Sequence, residues 1–276
     1  MTPADIETVR QLVHARSGVV IDPRKIYPIE SRLAPVARRE GFESIETLVQ
    51  AVRERRDDRL IWSVAEALAP GETSFFRDRA PFDTFRDEIL PALAATRRER
   101  PIRVWSAACG TGQEPYSLAM ILDDDRPKLQ GAKVELFGSD ISERALEKAQ
   151  SGAYNQFEVQ RGLPIRALVR HFEKSGEMWS LAPRIRQMVR WRRINLLADL
   201  RGLGQFDVIF CRYVVSAFDG PTRRRVLEQL ARALPDDGWL VLGVDETTVG
   251  VTEALRSISG RPGVYAPNLA HRAAAA

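Results

Sequence analysis

IRVWSAACGTGQEPYS, residues 102–117, is an apolar run that breaks at a glycine turn and restarts as a helix. Ile102 to Ala107 have the composition of a buried strand. Gly110 and Gly112 permit a tight turn and close approach of the backbone to a ligand. A helix is expected from near Glu114-Pro115, presenting its N-terminus to that turn. The rhythm then repeats. KVELFGSD (133–140) reads as a second strand, and Ser142 caps a helix through Gln150. FDVIFCRY (206–213) reads as a buried strand, a helix follows at about 221–234, and GWLVLGV (238–244) is another strand. Strands alternating with helices predict an α/β fold with a doubly wound, mostly parallel, Rossmann-like sheet.

The second strand ends in Asp140, where a carboxylate can accept both hydroxyls of a ribose. A glycine turn and an acidic residue closing the next strand point to a nucleoside-bearing cofactor. The turn is not a full dinucleotide fingerprint, because Pro115 stands where the third glycine belongs. No GK[ST] follows to hold a triphosphate. Glu114 at the helix start would repel a pyrophosphate and attract a cation. S-adenosyl-L-methionine carries a sulfonium, an ammonium and no phosphate, so Glu114 favours it over NAD.

Upstream the period is helical. Ile6, Val9, Leu12 and Val13 recur at helical spacing before Gly18, and Ile29, Leu33, Val36 and Ala37 repeat it before Gly41. Pro35 inside the second segment predicts a kink or a late start. Ser44 caps a third helix, and a fourth runs from about Asp58 to Ala69. Pro70-Gly71 breaks the pattern ahead of GETSFFRD (71–78). A helix with Phe82, Phe85, Ile89 and Leu93 on one face follows. The expected organisation is a helical domain over 1–70, a covering segment and linker helix over 71–100, and the sheet domain over 101–276. The AAAA tail is expected to fray.

Composition sets limits on function. The chain has 276 residues, 44% hydrophobic and 28% charged, which is ordinary for a soluble globular protein. No stretch reaches the roughly 20 apolar residues of a membrane span, and the charged start is not a secretory signal. Cys109 and Cys211 form no CxxC pair, and His14, His171 and His271 are scattered, so neither a disulfide scaffold nor a metal site is expected. Two free thiols fit a reducing cytoplasm. A net charge of +4 does not by itself imply nucleic-acid binding.

Taken in order, GETSFFRD (71–78), RVWSAACGTGQEPYS (103–117), FGSDIS (137–142), LEKAQSGAY (146–154), INLL (194–197) and FDVIFCR (206–212) resemble the CheR-type chemotaxis receptor glutamate methyltransferases. The matches run from about residue 71 to 244, and the N-terminal helices fit that family's small helical domain. The resemblance implies transfer of methyl from S-adenosyl-L-methionine to glutamate side chains on the cytoplasmic helices of chemoreceptors. The products are a glutamyl methyl ester and S-adenosyl-L-homocysteine. It also implies site roles. Thr73 and Arg77 lie over the cofactor, Ala108 and Gly110 form its turn, and Glu114 and Asp140 meet its methionine and ribose parts. Asn195 and Leu196 flank the adenine, and Arg212 and Tyr213 complete the site. Arg77 is the residue expected to hold the incoming carboxylate; the competing reading has it paired with Asp78 or Glu72 on the surface.

Two basic surfaces offer themselves to the receptor. Arg32, Arg38 and Arg39 close the second helix, with Arg32 and Arg39 on one face. PRIRQMVRWRR (183–193) reads as a strand with Arg184, Arg186, Arg190 and Arg192 on one side, inside a small β-subdomain that the family inserts, expected at about 176–193. The competing readings are a solvated charged face and an edge strand guarded by charge. The sequence departs from the family at Tyr213, where Asn is usual, and at Ala217, where Tyr is usual. GVDETT (243–248) replaces His-Ser-Glu, and Gly71 replaces Asn. Tyr213 is expected to restore the lost ring from a neighbouring position. These departures keep a non-catalytic, cofactor-binding adapter in view as the alternative. A nucleic-acid methyltransferase is the weaker alternative, because no aromatic stacking platform is evident.

Overall fold

The computed structural model describes all residues except 23, 25, 56 and 276. The last residue of the AAAA tail therefore lies outside the described residues, while α13 (Leu269–Ala275) holds the rest. Four helices come first: α1 (Pro3–Ser17), α2 (Ile26–Arg39), α3 (Ile45–Arg55) and α4 (Asp58–Leu68). Thr2 and Asp5 cap α1 reciprocally and Gly18 ends it at φ 74°. α2 starts at Ile26 and runs through Pro35, so the proline does not delay the helix. Buried Ile29, Leu33, Val36 and Ala37 give α2 enough tertiary contact to outweigh the lost N–H.

α5 (Ala80–Thr84), a π-helical turn (Phe85–Ile89) and α6 (Leu90–Thr96) form one continuous run that buries Phe82, Phe85, Ile89 and Leu93. The π turn falls just before Pro91, which supplies no N–H to the preceding turn.

The main sheet is built from β1 (Ile102–Ala107), β2 (Val134–Asp140), β6 (Val189–Arg193), β7 (Val208–Phe210), β8 (Trp239–Val241), β9 (Leu255–Ser257) and β10 (Val264–Pro267). Its order is β6-β2-β1-β7-β8-β10-β9. The first five strands are parallel, and β10 pairs antiparallel with both β8 and β9. α7 (Gln113–Asp124), α8 (Glu143–Ser151) and α12 (Gly220–Arg232) lie on the crossovers. The order reverses between β1 and β7, and a doubly wound sheet opens its ligand crevice at such a point, beyond the carboxyl ends of the strands.

The small sheet is elsewhere than expected. Between β3 (Ala153–Asn155) and β4 (Phe172–Ser175) the chain forms α9 (Gln156–Gln160) and α10 (Ile165–His171). β3 and β4 then pair with β5 (Met178–Leu181) in the order β3-β5-β4. The β-insert thus spans 153–181, not 176–193. Within 183–193, Ala182 and Pro183 begin a short helix, α11 (Pro183–Arg186), so Arg184 and Arg186 are not strand residues. Arg184 pairs with Asp123 at 3.3 Å, and Arg186 donates to the Ser151 carbonyl at 3.0 Å. Only β6 alternates, with Val189 and Trp191 inward and Arg190 and Arg192 outward. β6 is an edge of the main sheet, where outward arginines discourage pairing with a further strand.

The core has two parts. One joins Ile6, Leu33 and Leu48 of the N-terminal helices to Trp105, Ile209 and Phe218 on one side of the sheet. The other packs Phe75, Phe82 and Phe85 with Tyr116, Tyr154 and Phe210 on the opposite side. Cys109 and Cys211 are buried free thiols.

Candidate active site

The turn after β1 leaves ordinary backbone space at once. Ala108, Gly110 and Gly112 have φ values of 53°, 57° and 93°. A side chain at Gly112 would stand 2.7 Å from the Ala149 Cβ. A Cβ on Gly110 would lie 3.2 Å from the Thr73 methyl, so Thr73 closes over the turn. The Gly110 N–H donates to Asp140 at 2.8 Å, and the Ser142 N–H donates to the other Asp140 oxygen at 2.9 Å. Burial pushes the Asp140 carboxyl above its ordinary range, and the N–H groups of Ser142, Gly110 and Ile141 only partly oppose that.

Glu114, in the first turn of α7, is also buried. It accepts from the Ser106 hydroxyl at 2.8 Å and from Arg212 at 3.1 Å. Burial raises its pKa despite the opposing pull of Arg212 and Ser106. Arg212 follows β7 and bonds Asp78 at 2.6 Å and the Arg77 carbonyl at 2.8 Å. Its Nε is buried without a hydrogen-bond partner, which leaves one donor for a ligand acceptor.

The GETSFFRD segment arches over these groups. Phe76, Asp78 and Arg79 all have positive φ, at 47°, 57° and 20°. Phe75 is fully buried. Arg77 donates to the Glu72 carbonyl at 2.8 Å and lies 3.6 Å above the Tyr213 ring centroid. The surface pairing considered for Arg77 is not formed: Asp78 is bound by Arg212 and the Tyr213 hydroxyl, and Glu72 pairs with Arg161. Arg77 thus keeps a guanidinium with no ion-pair partner among the described residues. Tyr213, at φ 61°, places its ring beneath the Arg77 guanidinium.

Asn195 and Leu196 lie at the side of the crevice. Leu196, Ile194, Ile141, Val214 and Phe218 form an apolar hollow beside Asp140. The Asn195 amide donates to the Arg16 carbonyl at 2.8 Å, and its oxygen accepts from the Leu197 N–H at 3.0 Å. Asn195 therefore fastens α1 to the sheet, a role that spacing alone did not reveal.

A larger cleft of about 1130 Å³ opens outward from Gly110 and Asp140, between the N-terminal helices and α8. Arg32 and Arg39 face it, together with Trp62, Glu66 and Arg193. Exposed Arg38 does not line it. Arg193 bonds Glu66 at 2.8 Å, and the Ser142 hydroxyl donates to the same carboxylate at 3.2 Å. Asp123, Asp124 and His171 are close enough to share a cation, but they stand at the far end of α7 and are already faced by Arg126, Arg184 and Arg170.

Comparison with known proteins adds to this geometry. Residues 4–67 match the family described as "CheR methyltransferase, all-alpha domain", and residues 71–264 match "CheR methyltransferase, SAM binding domain". The chain belongs to the CheR methyltransferase family. Relatives span nearly its whole length. Chemotaxis protein methyltransferase 1 of Pseudomonas aeruginosa is 34% identical, covering 95% of this chain and 96% of the relative. Chemotaxis protein methyltransferase Cher2 of Pseudomonas putida is 31% identical, with 94% and 96% covered. Chemotaxis protein methyltransferase 1 of Vibrio cholerae is 34% identical, with 92% and 93% covered.

This CheR-family chain is thus an S-adenosylmethionine-dependent methyltransferase of the chemotaxis class, and the crevice suits that cofactor. Its two buried carboxylates match an ammonium and a pair of hydroxyls, and neither would accept a phosphate. Among the described residues no helix is long and apolar enough to cross a membrane.

Proposed function

We propose that the chain methylates glutamate side chains on the cytoplasmic helices of chemoreceptors, in the cytoplasm, and that Arg77 grips the carboxylate to be methylated. The observation that carries this reading is Arg77 itself. Its guanidinium is half-buried, stacked on Tyr213 and unpaired with any carboxylate among the described residues, and its charge is felt by the buried Glu114. Arginine suits a carboxylate because its planar fork can donate two parallel hydrogen bonds.

Cofactor roles follow from the same geometry. Asp140 would hold the ribose hydroxyls, and Glu114 the ammonium. Gly110 and Ala108 would let the backbone approach, with Thr73 closing above. Leu196 would pack on the adenine with Asn195 fixing that wall, and Arg212 would offer its free Nε to the methionine end. Tyr213 would reach the site through Arg77. The bound cofactor supplies a methyl carbon made electrophilic by its sulfonium.

The rest is work for the chain. A glutamate side chain is already ionised at neutral pH, so no residue has to take its proton. Arg77 orients the carboxylate towards the methyl, while the 71–78 segment excludes water. Holding two reactants in line can contribute about 7–11 kcal/mol in favourable cases. Arg32 and Arg39 on the cleft and Arg190 and Arg192 on the β6 edge would meet the acidic surface of the receptor helices.

The test is Arg77→Ala. Methyl transfer to a receptor fragment at saturating cofactor should fall about 10²-fold, while calorimetric affinity for S-adenosyl-L-homocysteine stays within a few-fold. Collapse of cofactor affinity with normal saturated turnover would remove Arg77 from the acceptor side.

A further inference from the structure

Glu246, in the loop after β8, is a buried carboxylate that takes no part in the cofactor crevice. It is 5% exposed, and among the described residues its side chain accepts hydrogen bonds from backbone N–H groups alone. One oxygen accepts from Tyr213 at 2.7 Å and Gly243 at 2.9 Å, and the other accepts from Ser216 at 3.0 Å. Tyr213 and Ser216 belong to the loop leaving β7, and Gly243 to the loop leaving β8. One carboxylate therefore ties together the carboxyl ends of two neighbouring strands. The residue is itself anchored, since buried Tyr265 of β10 donates its hydroxyl to the Glu246 carbonyl at 3.3 Å.

What this tie holds is the ring beneath Arg77. Tyr213 has a φ of 61°, a region non-glycine residues seldom adopt. Its own N–H is one of the donors to Glu246, and a charge-assisted hydrogen bond is stronger than a neutral one. Gly243 leaves room for the ring: a Cβ there would lie 2.9 Å from two Tyr213 ring carbons and 3.0 Å from a Glu246 oxygen. Backbone clamp and side-chain gap thus select one placement of the ring, with the Arg77 guanidinium 3.6 Å above it.

We propose that Glu246 is a positioning residue for the methyl acceptor. It fixes Tyr213, Tyr213 backs Arg77, and Arg77 meets the incoming carboxylate. The inference rests on the acceptor role given to Arg77. It goes further by assigning a second, remote residue whose loss should be felt by the acceptor and not by the cofactor.

The test uses the full chain, labelled S-adenosyl-L-methionine and a chemoreceptor cytoplasmic fragment. Glu246→Gln keeps the shape but turns an NH₂ towards backbone donors. kcat/KM for the fragment should fall at least about tenfold, within the ~10²-fold that small misplacements can cost. Calorimetric affinity for S-adenosyl-L-homocysteine should change less than about threefold, a split a general loss of folding would not give. Exchange of the Tyr213, Ser216 and Gly243 amide hydrogens should speed up. Gly243→Ala, which presses on the ring from the other side, should show the same kinetic split. Either change made in a Tyr213→Ala background should add little, because neighbours acting through one group are not additive. A wild-type enzyme that is active while Glu246→Gln keeps normal kinetics overturns the inference alone. So do equal losses in acceptor and cofactor parameters, simple multiplication with Tyr213→Ala, or failure of both variants to fold. Wild-type protein that transfers no methyl to the fragment overturns the acceptor reading, and this inference with it.

Discussion

Asp140 and Glu114 are carboxylates held in a place that disfavours their charge. Burial raises both, and the neighbouring N–H groups, Ser106 and Arg212 compensate only in part. A raised carboxyl takes up its proton at a higher pH than an ordinary one. A protonated Glu114 no longer attracts an ammonium, and a protonated Asp140 accepts hydroxyls less well. Affinity for S-adenosyl-L-homocysteine should therefore fall with acidification while most surface carboxylates are still ionised. The rise in Tm on adding it should be clearly smaller at about pH 5 than at about pH 8. An equal rise at both would mean that neither carboxylate meets the cofactor. These two residues were legible in the sequence because each stands at a fixed step from a strand end. The ring of Tyr213 was legible only as a departure from a family pattern. Its stacking under Arg77 and its tie to Glu246 join positions 77, 213 and 246, and only the packed sheet brings these together.

The 71–78 segment takes its shape from an element far along the chain. Gly162, in the loop between α9 and α10, has φ 88°, and a Cβ there would lie 2.1 Å from the Phe75 carbonyl oxygen. Gly162→Ala should therefore push the segment off the crevice. The expected cost is about 1–3 kcal/mol of stability, read by denaturant unfolding, together with weaker methyl transfer. Wild-type stability and turnover would mean that the insert does not brace the segment. β1, β2 and their helices were legible because long apolar runs ended in clear turn signals. The three strands of the small sheet have only three or four residues each, too few to show a period of two. The arginine alternation at 184–192 misled for a related reason. A four-residue helix and the turn after it, followed by an edge strand, gave the same spacing as one strand.

Seen whole, the helical module and the sheet share one core, in which Leu33 and Leu48 join Trp105 and Phe218. Polar ties reinforce the junction: Asn195 to the Arg16 carbonyl at 2.8 Å, the Val20 N–H to the Ala217 carbonyl at 2.8 Å, and Arg193 to Glu66 at 2.8 Å. Calorimetric unfolding of the ligand-free chain should accordingly show one cooperative transition. Two separable ones would mean that the module folds independently. Helical periodicity revealed the module, whereas its docking depends on a side-chain amide and a backbone carbonyl 179 positions apart. Together the parts place buried Asp140 beside a cleft flanked by Arg32, Arg39 and Arg193. The measurement that bears most directly on this arrangement is incubation with methyl-labelled S-adenosyl-L-methionine and a chemoreceptor cytoplasmic fragment. Label is expected on glutamate side chains, released by mild base as methanol, and none on a fragment whose acceptor glutamates are alanine. Label that resists base, or no label on any receptor glutamate, would contradict it.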